Sequence, residues 1–290
     1  MRFILNQLDK QDYLKIIRDA IKEDLDGYGD ITSKCIFDES HSSSGFIVCK
    51  EKDGAILCGI NIAKCVFEEI DNTIKFEILR EDSEELKNGD KICEIKGKTI
   101  SILKSERVAL NFLQHLTGIA TLTRKFTNIA SRYNVKITET RKTLPNLRVL
   151  EKYAVRCGGG YNHRFGLFDG ILVKDNHIIA SGNITEAVNR IKKSAPHTLK
   201  IEVEVKTKSE LLEAIYSKAD VIMLDNMSYD EMKDSVKIIR ENLKDTCKIE
   251  ASGGVKLETI EEICKTGVDI ISIGAITNSA KAIDFSLEFK

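Results

Sequence analysis

Proline, long apolar runs and an excess of one charge are all scarce in this sequence. The chain has 290 residues, 2 prolines and 42% apolar residues, which predicts one or two globular domains and excludes collagen-like and disordered classes. Its 44 basic and 45 acidic side chains nearly cancel, so no global field attracts nucleic acid or an anionic membrane. Any site for an anion must therefore be built locally.

Paired cysteine motifs and membrane-spanning runs are also missing. The eight cysteines are scattered and none forms Cys-x-x-Cys, so we expect buried thiols in a reducing compartment. The opening MRFILNQLDK has only a short apolar run, and no stretch approaches the ~18 apolar residues that a bilayer crossing needs. The sequence predicts a cytoplasmic protein without a leader.

Several common catalytic motifs are absent. The chain contains no Walker A run, no Gly-x-Ser-x-Gly elbow, no His-Glu-x-x-His and no glycine fingerprint for a dinucleotide. These absences argue against serine-nucleophile and zinc-peptidase chemistry.

The first hundred residues predict an α+β domain. A helical spacing of apolar residues over 16–25 ends at Asp26-Gly27, and the runs GFIVCK, AILCGI, KFEIL and KICEI look like strands. A long, partly buried helix is predicted from Lys104 to about Tyr133.

Strand-like runs alternate with amphipathic helices in the rest of the chain. The runs are VKITET, GILVKD, KIEVEV, VIMLD, KIEAS and IISIGA. Strands alternating with helices predict a parallel sheet, either closed as a barrel or open. Because each run ends at polar or glycine residues, reactive groups from many strands would converge, which favours a (β/α) barrel over an open sheet with one switch point.

Cationic residues are concentrated around a glycine run. Arginine, lysine and histidine near strand ends or beside Gly158-Gly159-Gly160 predict a pocket for a carboxylate or a phosphate. These residues are Arg141, Lys142, His163, Arg164 and Lys174. By contrast, Arg148, Lys152 and Arg156 have helical spacing after Pro145 and are interpreted as a solvated helix face.

Two acidic residues share one face of a predicted strand. Glu202 and Glu204 are two apart, so both project into the barrel. They could form an internal salt-bridge network, or, with Asp225 on the next strand, bind ribose hydroxyls or Mg²⁺.

Glycines follow two late strands. Ser252-Gly253-Gly254 and Gly274-Ala275 match the phosphate cradle of many barrels, in which backbone N–H groups and a helix N-terminus face the anion. Tight turns alone are the alternative. A pocket with excess cations, a pair of acidic residues and a phosphate cradle together predict that the substrate is a sugar phosphate that reacts with a second anion.

At these residues the sequence resembles the quinolinate phosphoribosyltransferases, also called carboxylating nicotinate-nucleotide pyrophosphorylases. The similarity covers nearly the whole chain. Its segments are EDLDGYGDIT, SERVALNFLQHLTGIAT, TRKTLPNLRVLEKYAVRCGGGYNHRFGLFDGILVKDNHI, IEVEV, LDNMS, EASGGV and SIGAIT.

The resemblance implies an α/β protein with an incomplete (β/α) barrel and an N-terminal α+β sandwich domain. Residues 1–112 would form the sandwich, with 277–290 packing back on it, and 113–276 would form the catalytic barrel. It also implies a homodimer with shared active sites, or a higher oligomer.

The resemblance further assigns roles to residues. Lys142 would meet the pyrophosphate of phosphoribosyl pyrophosphate, and Glu204 and Asp225 would handle its ribose hydroxyls and Mg²⁺. The two carboxylates of quinolinate would be held by Arg107 from the partner subunit and by Arg141, His163, Arg164 and Lys174. The 5′-phosphate cradle would consist of Ser252, Gly253, Gly254, Gly274 and Ala275.

One departure and two alternatives remain. The family often has Thr-His-Ser where this chain has Thr277-Asn278-Ser279, so we expect weaker binding of the ribosyl phosphate. A homologue associated with molybdate transport would use a different acceptor, and a sugar-phosphate sensor would bind without turnover. The TRKT, NHR and KDNH runs favour quinolinate, and the extra cations suit a diacid better than nicotinate.

Overall fold

A computed structural model describes residues 8–290 and divides them into two compact units. The first contains the described residues up to Arg124, together with Thr143–Gly159 and Ile276–Lys290. The second contains Lys125–Lys142 and Gly160–Ala275.

The elements follow one another in a regular order. The first part of the chain forms α1 (Lys10–Leu25), α2 (Ile31–Ile36), β1 (Ser42–Cys49), β2 (Ala55–Ile56), α3 (Ile60–Ile70), β3 (Lys75–Ile78), β4 (Glu85–Leu86), β5 (Lys91–Lys98) and α4 (Thr99–Ala130). The remainder forms β6 (Lys136–Thr138), α5 (Arg148–Cys157), β7 (Ile171–Val173), α6 (Asp175–Ser181), α7 (Ile184–Ser194), β8 (Ile201–Val205), α8 (Lys208–Tyr216), β9 (Val221–Asp225), α9 (Tyr229–Leu243), β10 (Lys248–Ser252), α10 (Ile260–Cys264), β11 (Ile270–Ser272), α11 (Ala275–Asn278) and β12 (Phe285–Phe289).

The first unit is built on an antiparallel sheet with the strand order β12-β1-β5-β3. The last strand of the chain, β12, pairs with β1 from Gly45↔Phe289 to Cys49↔Phe285. Position 45 requires glycine, because a Cβ atom there would lie 2.6 Å from the carbonyl oxygen of Glu288. Backbone pairing thus ties the C-terminal strand to the N-terminal sheet.

Helix α4 is continuous through residue 112, where the sequence analysis placed the domain boundary. The first compact unit extends along this helix to Arg124. The physical reason is that the buried stripe of α4, which includes Leu113 and Leu116, continues past that point.

The prediction of a solvated face on α5 is wrong. Lys152 is 5% exposed, and Arg148 and Arg156 are half-buried. The helix also buries Leu150, Ala154 and Val155, and none of its residues is exposed, so it has no solvated face. Arg148 Nε donates to Thr143 Oγ1 at 3.0 Å, which gives one of these cations a partner within the same unit.

The second unit is a parallel sheet with the order β6-β11-β10-β9-β8-β7. Its six strands, counted within residues 8–290, are two fewer than a complete barrel has. The predicted fold class, α/β with an incomplete (β/α) barrel and an N-terminal α+β sandwich domain, is confirmed in that a sheet domain precedes a parallel-sheet domain. Every residue of β8 is buried, as expected for a strand covered on both faces.

The long helix predicted from Lys104 to about Tyr133 is α4 (Thr99–Ala130), and the predicted burial of the thiols holds for all but one. All eight cysteines are free, seven of them are buried, and Cys35 is exposed. None of the helices in residues 8–290 is long and apolar enough to cross a membrane.

Candidate active site

The predicted site residues of the second unit follow the carboxyl ends of its strands. Because parallel strands end at one edge of their sheet, these residues share that edge. Arg141 and Lys142 follow β6, Lys174 follows β7, and Glu204 and Asp225 lie at the ends of β8 and β9. Arg107 lies in the first unit, exposed on α4.

Glu204 lies between two lysines. Its side chain is buried, and Oε2 is 3.3 Å from Lys174 Nζ. Lys206 Nζ is 3.7 Å from Glu204 Oε1, 3.8 Å from Asp225 Oδ2 and 3.1 Å from Asp175 Oδ2. The Lys206 hydrogen bond lowers the pKa of Asp175, and Asp175 in turn raises the pKa of Lys206.

The same carboxylates are a suitable donor set for a divalent cation. Asp175, Glu204 and Asp225 surround the ammonium group of Lys206, which shows that their oxygens converge on one position that favours positive charge. Mg²⁺ prefers oxygen ligands from one or two carboxylates, completed by water and substrate phosphates. These residues therefore fit the predicted metal.

Two arginines form the cationic part of the site. Burial lowers the pKa of Arg164, and the positive charge of the nearby Arg141 lowers it further. Arg164 Nη1 donates to the carbonyl oxygen of Gly170 at 2.9 Å, which orients the guanidinium. The two guanidinium groups repel each other, and a bound anion with two negative charges would offset that repulsion.

His163 is packed against three carboxylates, those of Glu139, which follows β6, Glu202 on β8 and Glu250 on β10. Its backbone N–H donates to Glu139 Oε1 at 3.2 Å, and its Nε2 lies 3.3 Å from Glu202 Oε2 and 3.5 Å from Glu250 Oε1. Its Nδ1 accepts the backbone N–H of Arg164 at 2.8 Å. Both ring nitrogens thus face the protein, so a direct contact with quinolinate, which stays a prediction, requires the ring to leave one of these partners.

The cluster of His163, Glu202 and Glu250 retains an extra proton at neutral pH. Burial disfavours the imidazolium, but hydrogen bonds with Glu202 and Glu250 outweigh it and raise the pKa of His163 to about 10. Nδ1, however, must keep a lone pair to accept the Arg164 N–H. The geometry therefore places the extra proton on the Glu202 side, where burial raises the carboxyl pKa, and the titration belongs to the whole cluster.

This raised pKa predicts a pH-dependent stability. A group whose pKa is higher in the folded than in the unfolded state stabilises the fold when it is protonated. For His163 this contribution is complete below its ordinary pKa of 6.5 and is lost as the pH rises towards 10. We expect Glu250→Gln to reduce the free energy of unfolding by ~1–2 kcal/mol at pH 6 and by less at pH 10. Urea unfolding at both pH values measures this. Glu241→Gln, on the exposed face of α9, is the control, and a loss for Glu250→Gln that grows with pH would contradict the prediction.

The two glycines after β10 both have positive φ, but only the second faces open space. Gly253 has φ 98°, and a Cβ atom there would clash with the side chain of Asn226. Gly254 has φ 60°, and a Cβ atom there would meet nothing within 4 Å. Helix α10 starts only at Ile260, so the expected helix N-terminus does not follow these glycines directly. Any cradle here consists of the loop backbone after Ser252 at the end of β10 and of Gly274 after β11, with Ala275 as the first residue of the short helix α11.

Sequence reasoning gave no role to four charged residues of the site. They are Glu139, Asp175, Lys206 and Glu250. Asp175 and Lys206 were visible only as polar residues at strand ends, where such residues are common. Glu250 carried a stronger signal, because it lies between apolar residues in a buried strand as Glu202 and Glu204 do.

Comparisons with known proteins cover almost the whole chain. The N-terminal domain of quinolinate phosphoribosyl transferase matches residues 30–117, and its C-terminal domain matches residues 119–288. A probable carboxylating nicotinate-nucleotide pyrophosphorylase from Bacillus subtilis is 44% identical over 274 residues, covering 94% of this chain and 92% of its own. One of the same name from Methanocaldococcus jannaschii is 45% identical over 286 residues, covering 96% of this chain and 98% of its own.

A solved structure is also similar over its whole length. The nicotinate-nucleotide pyrophosphorylase of Francisella tularensis aligns with a TM-score of 0.91 at 41% identity and covers 98% of both chains. Sequence and fold therefore agree over both units, and this chain belongs to the quinolinate phosphoribosyltransferase family.

Proposed function

We propose that this protein transfers the phosphoribosyl group of phosphoribosyl pyrophosphate to quinolinate and releases pyrophosphate, CO₂ and nicotinate mononucleotide, a step of de novo NAD biosynthesis. The observation that carries this proposal is that the second unit contains both a cationic group and an acidic group of side chains. Arg141 and Arg164 lie near each other, and the buried acid Glu204 is beside Asp225. A diacid and a polyhydroxylated phosphate are complementary to these two groups.

The cations would hold and orient the acceptor. Arg141, Arg164 and Lys174 bind the two quinolinate carboxylates together with Arg107 from the partner subunit. His163, the fifth member of the predicted set, also fixes the main chain of Arg164. This leaves the pyridine nitrogen directed at the anomeric carbon of the ribose, whose hydroxyls bind Glu204 and Asp225. Such orientation lowers the barrier by removing the entropy cost of bringing two reactants together.

The charge changes of the reaction explain the other residues. The bond from the anomeric carbon to pyrophosphate breaks with its electron pair on the leaving oxygen, and Lys142 stabilises that anion. The pyridine nitrogen donates its lone pair to the anomeric carbon, so the ring becomes cationic. The bond between C2 and its carboxylate then breaks, its electrons pass to the ring, CO₂ departs, and a proton from solvent replaces it.

Mg²⁺ is the proposed cofactor. When bound, it would neutralise negative charge on the pyrophosphate. Glu204 and Asp225 would hold it, directly or through water and substrate, and the convergence of their oxygens on Lys206 Nζ supports this assignment.

A homodimer with shared active sites is part of the proposal. It rests on the family resemblance and on the exposure of Arg107 on α4, which leaves this side chain able to reach a second subunit. A higher oligomer would retain the same contact. A cytoplasmic location is proposed from the eight free thiols.

A single-turnover assay separates this function from the two alternatives. Excess protein is mixed with phosphoribosyl pyrophosphate labelled in the pyrophosphate, with and without quinolinate. We expect pyrophosphate release that depends on quinolinate. A sensor would bind the sugar phosphate and release none, and a homologue with another acceptor would release none with quinolinate.

The departure at Asn278 gives a test of the phosphate site. Asn278 is exposed at the end of α11, three residues after Ala275. We expect Asn278→His to lower the Michaelis constant for phosphoribosyl pyrophosphate about 2- to 5-fold, the range that one exposed ion pair supplies. An unchanged Michaelis constant in steady-state assays at pH 6, where a new histidine of ordinary pKa is charged, would argue against a missing cation.

A further inference from the structure

The position of Lys206 among the acids of the site has a consequence for metal binding. Its main chain is fixed, because its backbone N–H donates to Glu210 Oε2 at 2.7 Å at the start of α8. Its side chain is 44% exposed. The ammonium group can therefore leave the acids without disturbing the backbone.

Carboxylates outnumber ammonium groups around Lys206. Three carboxylates, those of Asp175, Glu204 and Asp225, face two ammonium groups, those of Lys174 and Lys206. Each oxygen of Glu204 has its own lysine, Lys174 at Oε2 and Lys206 at Oε1. Removing Lys206 would leave three carboxylates with one ammonium group.

A divalent cation would use the same oxygens. Carboxylate oxygens bind Mg²⁺ at about 2.0–2.1 Å, so an ion on Glu204 Oε1 and Asp225 Oδ2 would lie close to the present position of Lys206 Nζ. Two cations at such a distance repel each other. Lys206 and the metal therefore exclude each other from this position.

We propose that Lys206 is a built-in competitor for the divalent cation at Asp175, Glu204 and Asp225. The inference rests on the proposed function, in which Glu204 and Asp225 serve the metal and the ribose. In the substrate-free protein Lys206 neutralises these acids and keeps metal affinity low. Tight binding then requires the oxygens of the pyrophosphate, which supply further ligands for the metal and a new partner for the displaced ammonium group.

Mn²⁺ binding to the substrate-free protein tests this proposal directly. Electron paramagnetic resonance of free Mn²⁺ gives the dissociation constant without any turnover. We expect Lys206→Met to bind Mn²⁺ on the order of 10-fold more tightly than the unchanged protein, as expected for the loss of three partly exposed ion pairs. Lys208→Met, which removes an exposed lysine two residues later, should leave the affinity unchanged.

A double variant tests whether the gain in Mn²⁺ affinity depends on the carboxylate of Asp225. Combining Lys206→Met with Asp225→Asn should remove the gain, and melting curves confirm that each variant is folded. The proposal is overturned if Lys206→Met binds Mn²⁺ equally or more weakly, if no variant binds it, or if the gain survives Asp225→Asn. Because no quinolinate is present, a protein that shows the gain and yet fails to turn over would refute the proposed activity and leave the competitor role intact.

Discussion

We expect Lys142→Ala to lower kcat by a factor of ~10²–10³, the loss typical of one preorganised electrostatic contact. Pyrophosphate gains negative charge as its bond to the anomeric carbon breaks, and Lys142 would supply the compensating positive charge. Lys142 follows β6, and its backbone N–H donates to Thr140 Oγ1 at 3.0 Å. This turn fixes the point from which the side chain extends.

The control for Lys142 is another exposed lysine of the same unit. Lys125→Ala removes an ammonium group from the surface of α4 and should leave kcat unchanged. Pre-steady-state pyrophosphate release isolates the chemical step from product release. Near-normal release by the Lys142 variant would remove the role assigned to this residue.

The second large effect is expected at Arg164. Its guanidinium is anchored to the Gly170 carbonyl oxygen, and its main chain is anchored to His163 Nδ1, so it is preorganised for a carboxylate. We expect Arg164→Ala to lower kcat/KM for quinolinate on the order of 10²-fold, as when one partner of a buried charge pair is lost.

The effect of Arg164→Ala should be confined to one substrate. The Michaelis constant for phosphoribosyl pyrophosphate should change little, because Glu204, Asp225 and the glycine loops are untouched. Arg190→Ala, which breaks an exposed pair with Glu186 on α7, is the control. Equal losses for both substrates would mean that Arg164 supports the fold of the site instead of binding quinolinate.

The strands of the second unit could be predicted because each is a short run rich in apolar and β-branched residues that ends at polar residues or glycine and lies between helical patterns. The runs IEVEV and VIMLD coincide with β8 and β9. Helix α3 was missed, because its first residues continue the apolar run AILCGI. Its start is fixed by Asp82, whose Oδ1 accepts the N–H groups of Gly59 and Ile60. A cap from more than twenty residues away leaves no local pattern.

The types of residue in the site could be predicted, but their partners could not. Strand ends and charge identified Glu204, Asp225 and Arg164. Which groups touch depends on the register of strands far apart in sequence: Glu202 on β8 and Glu250 on β10 meet at His163. Spacing along the chain contains no information on such a meeting, which is why a histidine predicted to face the substrate lies among carboxylates.

The most direct test of the account is the release of CO₂ from quinolinate labelled in its C2 carboxylate. Purified protein, Mg²⁺ and phosphoribosyl pyrophosphate are supplied, and nicotinate mononucleotide is measured in the same samples. The account predicts one CO₂ and one nicotinate mononucleotide for each pyrophosphate released. Folded protein that binds phosphoribosyl pyrophosphate but releases no labelled CO₂ would contradict it.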